Sequence, residues 1–186
     1  MPGTRRVEKR ILMDAAGLDA ALDRMTEALV PLVAGGRSCL VGIQTGGAHV
    51  ARRLLARMAA RGLPAPPLGV LDITLYRDDT FLGLAQPVVR HTDVPFELNG
   101  MDVILVDDVL YTGRTIRAAL DALVDFGRPR LVRLAVLVDR GLREYPIQAD
   151  VVGTRCETTA VENVQVEMTE MGNATDRVVI YERESR

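Results

Sequence analysis

Lysine is almost missing from this chain: of 23 basic residues only Lys9 is not an arginine. Such a bias suits phosphate recognition by planar guanidinium forks, and it is equally what a GC-rich coding sequence produces. A strong charge of one sign is missing as well. The formal net charge is −2, which excludes a bulk polycation, so any nucleic-acid contact needs a local basic patch. Cysteine is scarce. Cys39 and Cys156 stand in no metal-ligand or redox spacing, so a disulfide framework is not expected and a cytoplasmic setting is; Cys39, inside an apolar run, is expected in the core. No run of eighteen or more apolar residues exists, so nothing is expected to span a membrane. The charged N-terminus lacks an apolar signal-peptide core. Internal repeats and low-complexity tracts are also absent. What remains is ordinary: 48% apolar and 26% charged residues over 186 positions, read as a single domain over 1–186 that buries roughly two-thirds of its unfolded surface.

Apolar runs alternate with amphipathic segments. Asp19 is expected to cap a helix over about 20–34, ended by Gly35 and Gly36. Ser38 to Ile43 reads as a buried strand and Ala48 to Arg61 as a helix. Val70 to Tyr76 reads as a second strand. About residues 78–100 lack periodicity and suggest a flexible loop, with Val88-Val89 and Phe96–Leu98 as a weak hairpin. After the strand beginning at Val103, a helix is expected to about Asp125, and Leu131 to Val138 reads as another buried strand. Ala149–Val152, Val164–Met168 and Val178–Tyr181 read as shorter strands. This alternation predicts an α/β fold, a twisted parallel sheet flanked by helices. In such sheets ligands sit beyond the carboxyl ends of the strands, where Gln44–Gly47, Asp107–Thr115 and Asp139–Gly141 fall.

The most informative string is Val103-Ile104-Leu105-Val106-Asp107-Asp108-Val109-Leu110-Tyr111-Thr112-Gly113-Arg114-Thr115. An apolar strand runs into two acids, then into a short turn and a helix N-terminus. Such a loop offers an anion its backbone N–H groups, the hydroxyls of Thr112 and Thr115 and the positive end of a helix dipole. Paired carboxylates suit hydroxyls or a hard divalent cation. A ligand carrying phosphate, ribose hydroxyls and magnesium matches these parts.

This string resembles the 5-phosphoribosyl-1-pyrophosphate (PRPP) signature of type I phosphoribosyltransferases. Beyond it, Leu71–Asp79 (LDITLYRDD), Leu134–Gly141 (LAVLVDRG) and the RE-x-PI-x-AD string from Arg143 to Asp150 resemble the bacterial bifunctional family of pyrimidine-operon attenuation regulators and uracil phosphoribosyltransferases. The resemblance spans roughly residues 7–183. It implies a phosphoribosyltransferase-like sheet with a small hood, and a reaction in which uracil and PRPP give UMP and pyrophosphate with Mg²⁺. By the same resemblance, Asp107 and Asp108 hold the ribose hydroxyls and meet the metal indirectly, through PRPP. Val109 to Thr115, including Leu110, Tyr111, Thr112, Gly113 and Arg114, surround the ribose and cradle the 5′-phosphate. Thr45 and Gly46 present backbone N–H groups to the pyrophosphate, and Arg77 is a catalytic candidate for neutralising its charge. Val138, Asp139 and Arg140 lie near the uracil edge. One departure is plain: the family usually has Arg after the Thr of the pyrophosphate loop, where this chain has Gly46, so that Arg77 or Arg90 is left to compensate.

The resemblance also implies binding to the leader mRNA of the pyrimidine operon, strengthened by UMP or UTP, and assembly as a homodimer or higher oligomer. Arg24, Arg140 and Arg143 are the candidates for an RNA face. Leu142, Gln148 and Thr154 stand where relatives commonly have His, Arg and Lys, and Glu157 to Met171 contains acids and no base. Two compatible readings therefore stay open, a salvage enzyme making UMP and an RNA-binding nucleotide sensor with little activity; against a third, a transferase for a purine base, the LDITLYRDD string argues by resemblance. His49 and His91, without a partner pattern, are read as surface residues, and Met13, Met25 and Met168 as packing.

Overall fold

The computed structural model of the chain describes residues 6–78 and 91–183. It opens with a strand, β1 (Arg6–Met13), whose side chains are mostly exposed. Helix α1 (Ala15–Val33) follows, and the carboxylate of Asp14 accepts a hydrogen bond from the Gly17 amide at 2.8 Å. The cap is therefore Asp14 and not Asp19. The apolar stripe explains why: Leu18, Ala21, Leu22, Met25 and Leu29 are all buried at helical spacing, and the turn carrying Leu18 needs an earlier start. Asp19 points outward and pairs with Arg57.

The core sheet is built from β2 (Ser38–Ile43), β3 (Leu68–Leu71), β4 (Asp102–Leu110), β5 (Leu131–Asp139) and β6 (Val151–Arg155), all parallel in the order β3-β2-β4-β5-β6. Between these strands run α2 (Gly46–Ala60) and α3 (Arg114–Leu123). Successive residues of β4 feed opposite layers. Ile104 and Val106 face α1 and α2, while Val103 and Leu105 face α3, as the two-residue strand period requires. The expected α/β architecture holds.

The strand expected over Val70–Tyr76 stops at Leu71, and Thr74–Tyr76 form a 3₁₀ turn. Asp72 causes the break: its Oδ1 accepts from the Thr74 amide at 2.9 Å and the Thr74 hydroxyl at 2.6 Å, an Asx turn that bends the chain. Of the expected hairpin, Val88-Val89 lies outside the described residues and Phe96–Leu98 form no strand; Asp93 instead bridges Val70.

A second sheet, β1-β8-β7, is antiparallel and pairs β7 (Glu162–Glu167) and β8 (Arg177–Arg183) with the first strand of the chain. Val164, Val166, Val178 and Ile180 pack it onto the layer formed by α1 and α2. Arg53 of α2 locks the join. Its guanidinium donates to Glu170 at 2.8 and 2.5 Å and to Asp176 at 2.6 and 3.0 Å, and these bonds hold the Glu170 carboxyl down at about 2. Because that value lies below the unfolded one, the pair stabilises fully above about pH 4.5 and its contribution is lost as pH falls toward about 2. Arg53→Ala is expected to lower stability by about 2 kcal/mol, read as a fall in the urea midpoint at neutral pH. The variant should also lose less stability than the parent across that acid window.

Candidate active site

Three strand ends deliver the site. The parallel register pairs Gly42 with Val106 and Leu110 with Asp139, so the loops after β2, β4 and β5 emerge side by side at one edge. The pyrophosphate-loop candidate after β2 is unusually close to the acids of β4. A Cβ on Gly47 would lie 2.3 Å from the Val106 carbonyl oxygen, and one on Gly46 would lie 2.2 Å from Asp108 Oδ2. The first turn of α2 thus rests directly on the acidic strand end. The Gln44–Thr45 peptide preceding it is cis. Asp108 as placed and any side chain at position 46 exclude each other, which gives the departure at Gly46 a physical content: the carboxylate of Asp108 fills the space that a side chain would take.

Asp107 is 5% exposed, and Asp108 is half-buried beside it. Burial raises the Asp107 carboxyl well above its ordinary value, and the neighbouring Asp108 adds to the shift; the Arg77 cation opposes it. Asp108 is raised too, again by burial, with the hydrogen bonds from Asp107 and from the Val109 amide working against the rise. That amide donates to Asp108 Oδ1 at 3.0 Å. Two carboxyls so close cannot both ionise without a cation or donor beside them. Among the described residues no group of three or more His, Cys, Asp or Glu gathers to hold a metal ion. The pair therefore fits Mg²⁺ only when a ligand brings further oxygens.

A cavity of about 270 Å³ opens next to the acids, lined by Arg77, Val109, Leu110, Tyr111, Thr112, Gly113, Arg114, Thr115 and Ile116. Gly113 carries the left-handed turn, φ +93°, that reverses the strand into α3. The N-terminus of that helix faces the cavity with backbone donors and a positive dipole end. Arg114 turns its side chain outward, to Glu144 at 2.7 Å and to Asp78, with its guanidinium 5.4 Å from the Tyr145 ring centre.

The base-side candidates divide. Val138 is fully buried. Asp139 lines a second cavity of about 380 Å³ with Gly141, Arg155, Cys156 and Glu157, the last three of which carry no motif by which sequence alone would find them. Burial raises the Cys156 thiol above its usual value, leaving it a poor nucleophile. Arg140 is only 3% exposed. It stacks 3.9 Å from the Tyr111 ring centre and donates to the Thr158 hydroxyl and to the carbonyls of Thr159 and Glu162 at 3.0, 2.9 and 2.7 Å.

The three arginines expected on an RNA face do not meet on one surface. Arg24 is exposed, with one bond to the Gly153 carbonyl at 3.0 Å. Arg140 is buried, which corrects its reading as a surface cation. Arg143 is half-buried and committed to partners within the chain. Arg90 lies outside the described residues.

Comparison with known proteins agrees with this geometry. Residues 15–170 match the phosphoribosyl transferase domain family. A protein from Pelotomaculum thermopropionicum, called Bifunctional protein PyrR, is 48% identical over 176 residues, covering 94% of this chain and 97% of its own. The protein of the same name from Listeria welshimeri is 46% identical over 178 residues, with the same coverage of both chains. Among solved structures, hypoxanthine phosphoribosyltransferase from Staphylococcus aureus superposes with a TM-score of 0.68 at 18% identity, over 92% of each chain. A Trypanosoma cruzi hypoxanthine phosphoribosyl transferase reaches 0.71 at 16% identity, over 96% of this chain and 94% of that one; at such identities the likeness concerns the fold. Matched from α1 through to the turn after β7 and nearly half identical to relatives along almost its whole length, this chain belongs to the phosphoribosyltransferase family.

Proposed function

We propose that the chain transfers the phosphoribosyl group of PRPP to uracil, giving UMP and pyrophosphate, and that it also binds pyrimidine-operon leader mRNA with UMP or UTP as the effector. The observation that carries the first half is the contact between the acid pair and two ligand-sized loops, within a chain whose LDITLYRDD and DDVLYTGRT strings resemble the uracil-specific bifunctional family. The relatives' shared name, Bifunctional protein PyrR, accords with two activities on one chain.

In the reaction, uracil N1 bonds to the anomeric carbon as the bond to pyrophosphate breaks and the electron pair leaves with pyrophosphate; the N1 proton passes to solvent. Charge develops at the anomeric carbon, so the protein contributes position and electrostatics. The loop from Val109 to Thr115 grips the 5′-phosphate, and Asp107 and Asp108 take the ribose hydroxyls. The N-terminus of α2, through Thr45 and Gly46, faces the pyrophosphate. Arg77, whose cation acts on Asp107 and which lines the phosphate cavity, supplies positive charge where position 46 has none. Mg²⁺ bound with PRPP would supply positive charge at the diphosphate, and Asp107 and Asp108 would meet it indirectly, through PRPP. Val138, Asp139 and Arg140 border the base, Arg140 through its backbone, and Arg24 is the arginine left open for RNA.

The test is conversion of labelled uracil with PRPP and Mg²⁺, beside hypoxanthine as rival base, with leader-RNA retention measured with and without UMP. Turnover of uracil but not hypoxanthine, and retention raised by UMP, is the expected result. UMP binding without turnover would leave only the sensor, and turnover without RNA retention only the salvage enzyme.

A further inference from the structure

The phosphate loop is held from behind by a segment that the proposed reaction does not use. The chain after β5 runs back along the loop. The amides of Glu144 and Tyr145 donate to the Thr112 carbonyl at 2.9 and 3.0 Å. Tyr145 and Ile147 side chains close on Gly113, where an added Cβ would meet them at 3.1 and 3.3 Å. Arg143 is the hub. Its Nη1 donates to the Tyr111 carbonyl at 2.7 Å and the Gly141 carbonyl at 2.9 Å, its Nε to the Ile147 carbonyl at 3.0 Å, and its Nη2 to Asp139 Oδ1 at 2.5 Å. Asp139 neutralises the guanidinium, and every direction of the fork has a partner within the chain.

The consequence lies in peptide geometry. In a trans peptide the N–H points opposite to the C=O. The Tyr111 carbonyl is tied to Arg143 and the Thr112 carbonyl to the two amides. The N–H groups of Thr112 and Gly113 are thereby turned away from the buttress. Two successive amides with one orientation form an anion-binding concavity, and a loop that must hold that orientation without ligand benefits from fixed carbonyls. Tyr111 is held twice, by its carbonyl through Arg143 and by its ring against Arg140.

We propose that Arg143 is a positioning residue for the 5′-phosphate loop, which orients the Thr112 and Gly113 amides by tying down the Tyr111 carbonyl, rather than an RNA contact. This rests on the reading of that loop as the phosphate site. Lysine at this position reaches one or two of the carbonyls but lacks the planar fork, so Arg143→Lys should retain part of what Arg143→Ala loses.

The experiment measures ribose 5-phosphate binding by calorimetry, with steady-state kinetics for PRPP and uracil, in the parent, Arg143→Ala and Arg143→Lys. In the alanine variant, ribose 5-phosphate affinity should fall and KM for PRPP rise by about tenfold. The KM for uracil should stay within about twofold and kcat within about threefold, and the lysine variant should lie between. If the alanine variant does not fold, the lysine variant carries the test through the same split. Unchanged ribose 5-phosphate affinity would overturn the proposal, as would an equal rise in both KM values. Loss of leader-RNA retention with phosphate binding intact would return Arg143 to the RNA face. Should the parent fail to convert uracil, the calorimetry still decides the role of Arg143, and only the base assignment falls.

Discussion

Replacing Asp107 and Asp108 together by asparagine is expected to lower phosphoribosyl transfer by about a thousandfold or more while leaving the fold at least as stable as the parent's. The activity loss follows from chemistry: the transition state gathers positive charge at the anomeric carbon, and the variant removes both carboxyl groups, and with them the negative charge they hold, from beside it. Stability moves the other way because of where the acids sit. Asp107 is buried against Asp108, and its folded value lies above the ordinary one. A carboxyl raised on folding binds its proton more tightly in the native state, so its contribution turns unfavourable as pH rises past the unfolded value. Asparagine carries no such penalty. The thermal midpoint of the double variant should therefore match or exceed that of the parent at pH 7 and gain nothing at pH 3. A variant that loses activity because it unfolds, or that keeps turnover near the parent's, would remove the acids from the proposed chemistry.

The second large effect is expected at Gly47. Its α-hydrogen faces the carbonyl of Val106 and the Cα of Asp107, and a methyl group there would sit 2.3 and 2.8 Å from those backbone atoms. No side-chain rotation relieves a contact with backbone, so Gly47→Ala must lift α2 from β4. The cost is about 3 kcal/mol, a fall in the thermal midpoint of about 6–12 °C for a chain of this size. Arg53 and its partners Glu170 and Asp176 move with the helix, so the second sheet should loosen with it, seen as faster amide exchange in β7 and β8. An alanine variant melting with the parent would show that the close approach is not required.

Much of the scaffold was legible because its signals are local. SCLVGI is buried at all six positions, and continuous apolar runs gave the start of β4 and nearly the whole of β5, while β4 runs on through the two acids, read as its end, to Leu110. The strand over Leu68–Leu71 was read too long because the Asx turn at Asp72 looks, in sequence, like more strand. β1 was not anticipated at all: a mostly exposed edge strand has no apolar pattern to read, and its pairing partner lies at the other end of the chain. The site followed the same division. The three loops could be placed at one sheet edge by topology alone. The fates of Arg140 and Arg143 could not, because their partners, Thr158 to Glu162 and Tyr111, are fixed by the tertiary fold, and a motif cannot tell a guanidinium aimed at solvent from one tied to carbonyls.

The pairing of β1 with β8 also sets a timetable. Met13 and Val178, where the two strands face each other, are separated by most of the sequence. At ribosomal speeds the first strand waits about 10–30 s for its partner. During that interval it is an unpaired edge, the kind of surface that recruits other chains. Glu8, Lys9 and Arg10 stand along it, and charged side chains on an open edge discourage such recruitment. The residues that hid this strand from a hydrophobic pattern are thus suited to guard the nascent chain until its last strand is made.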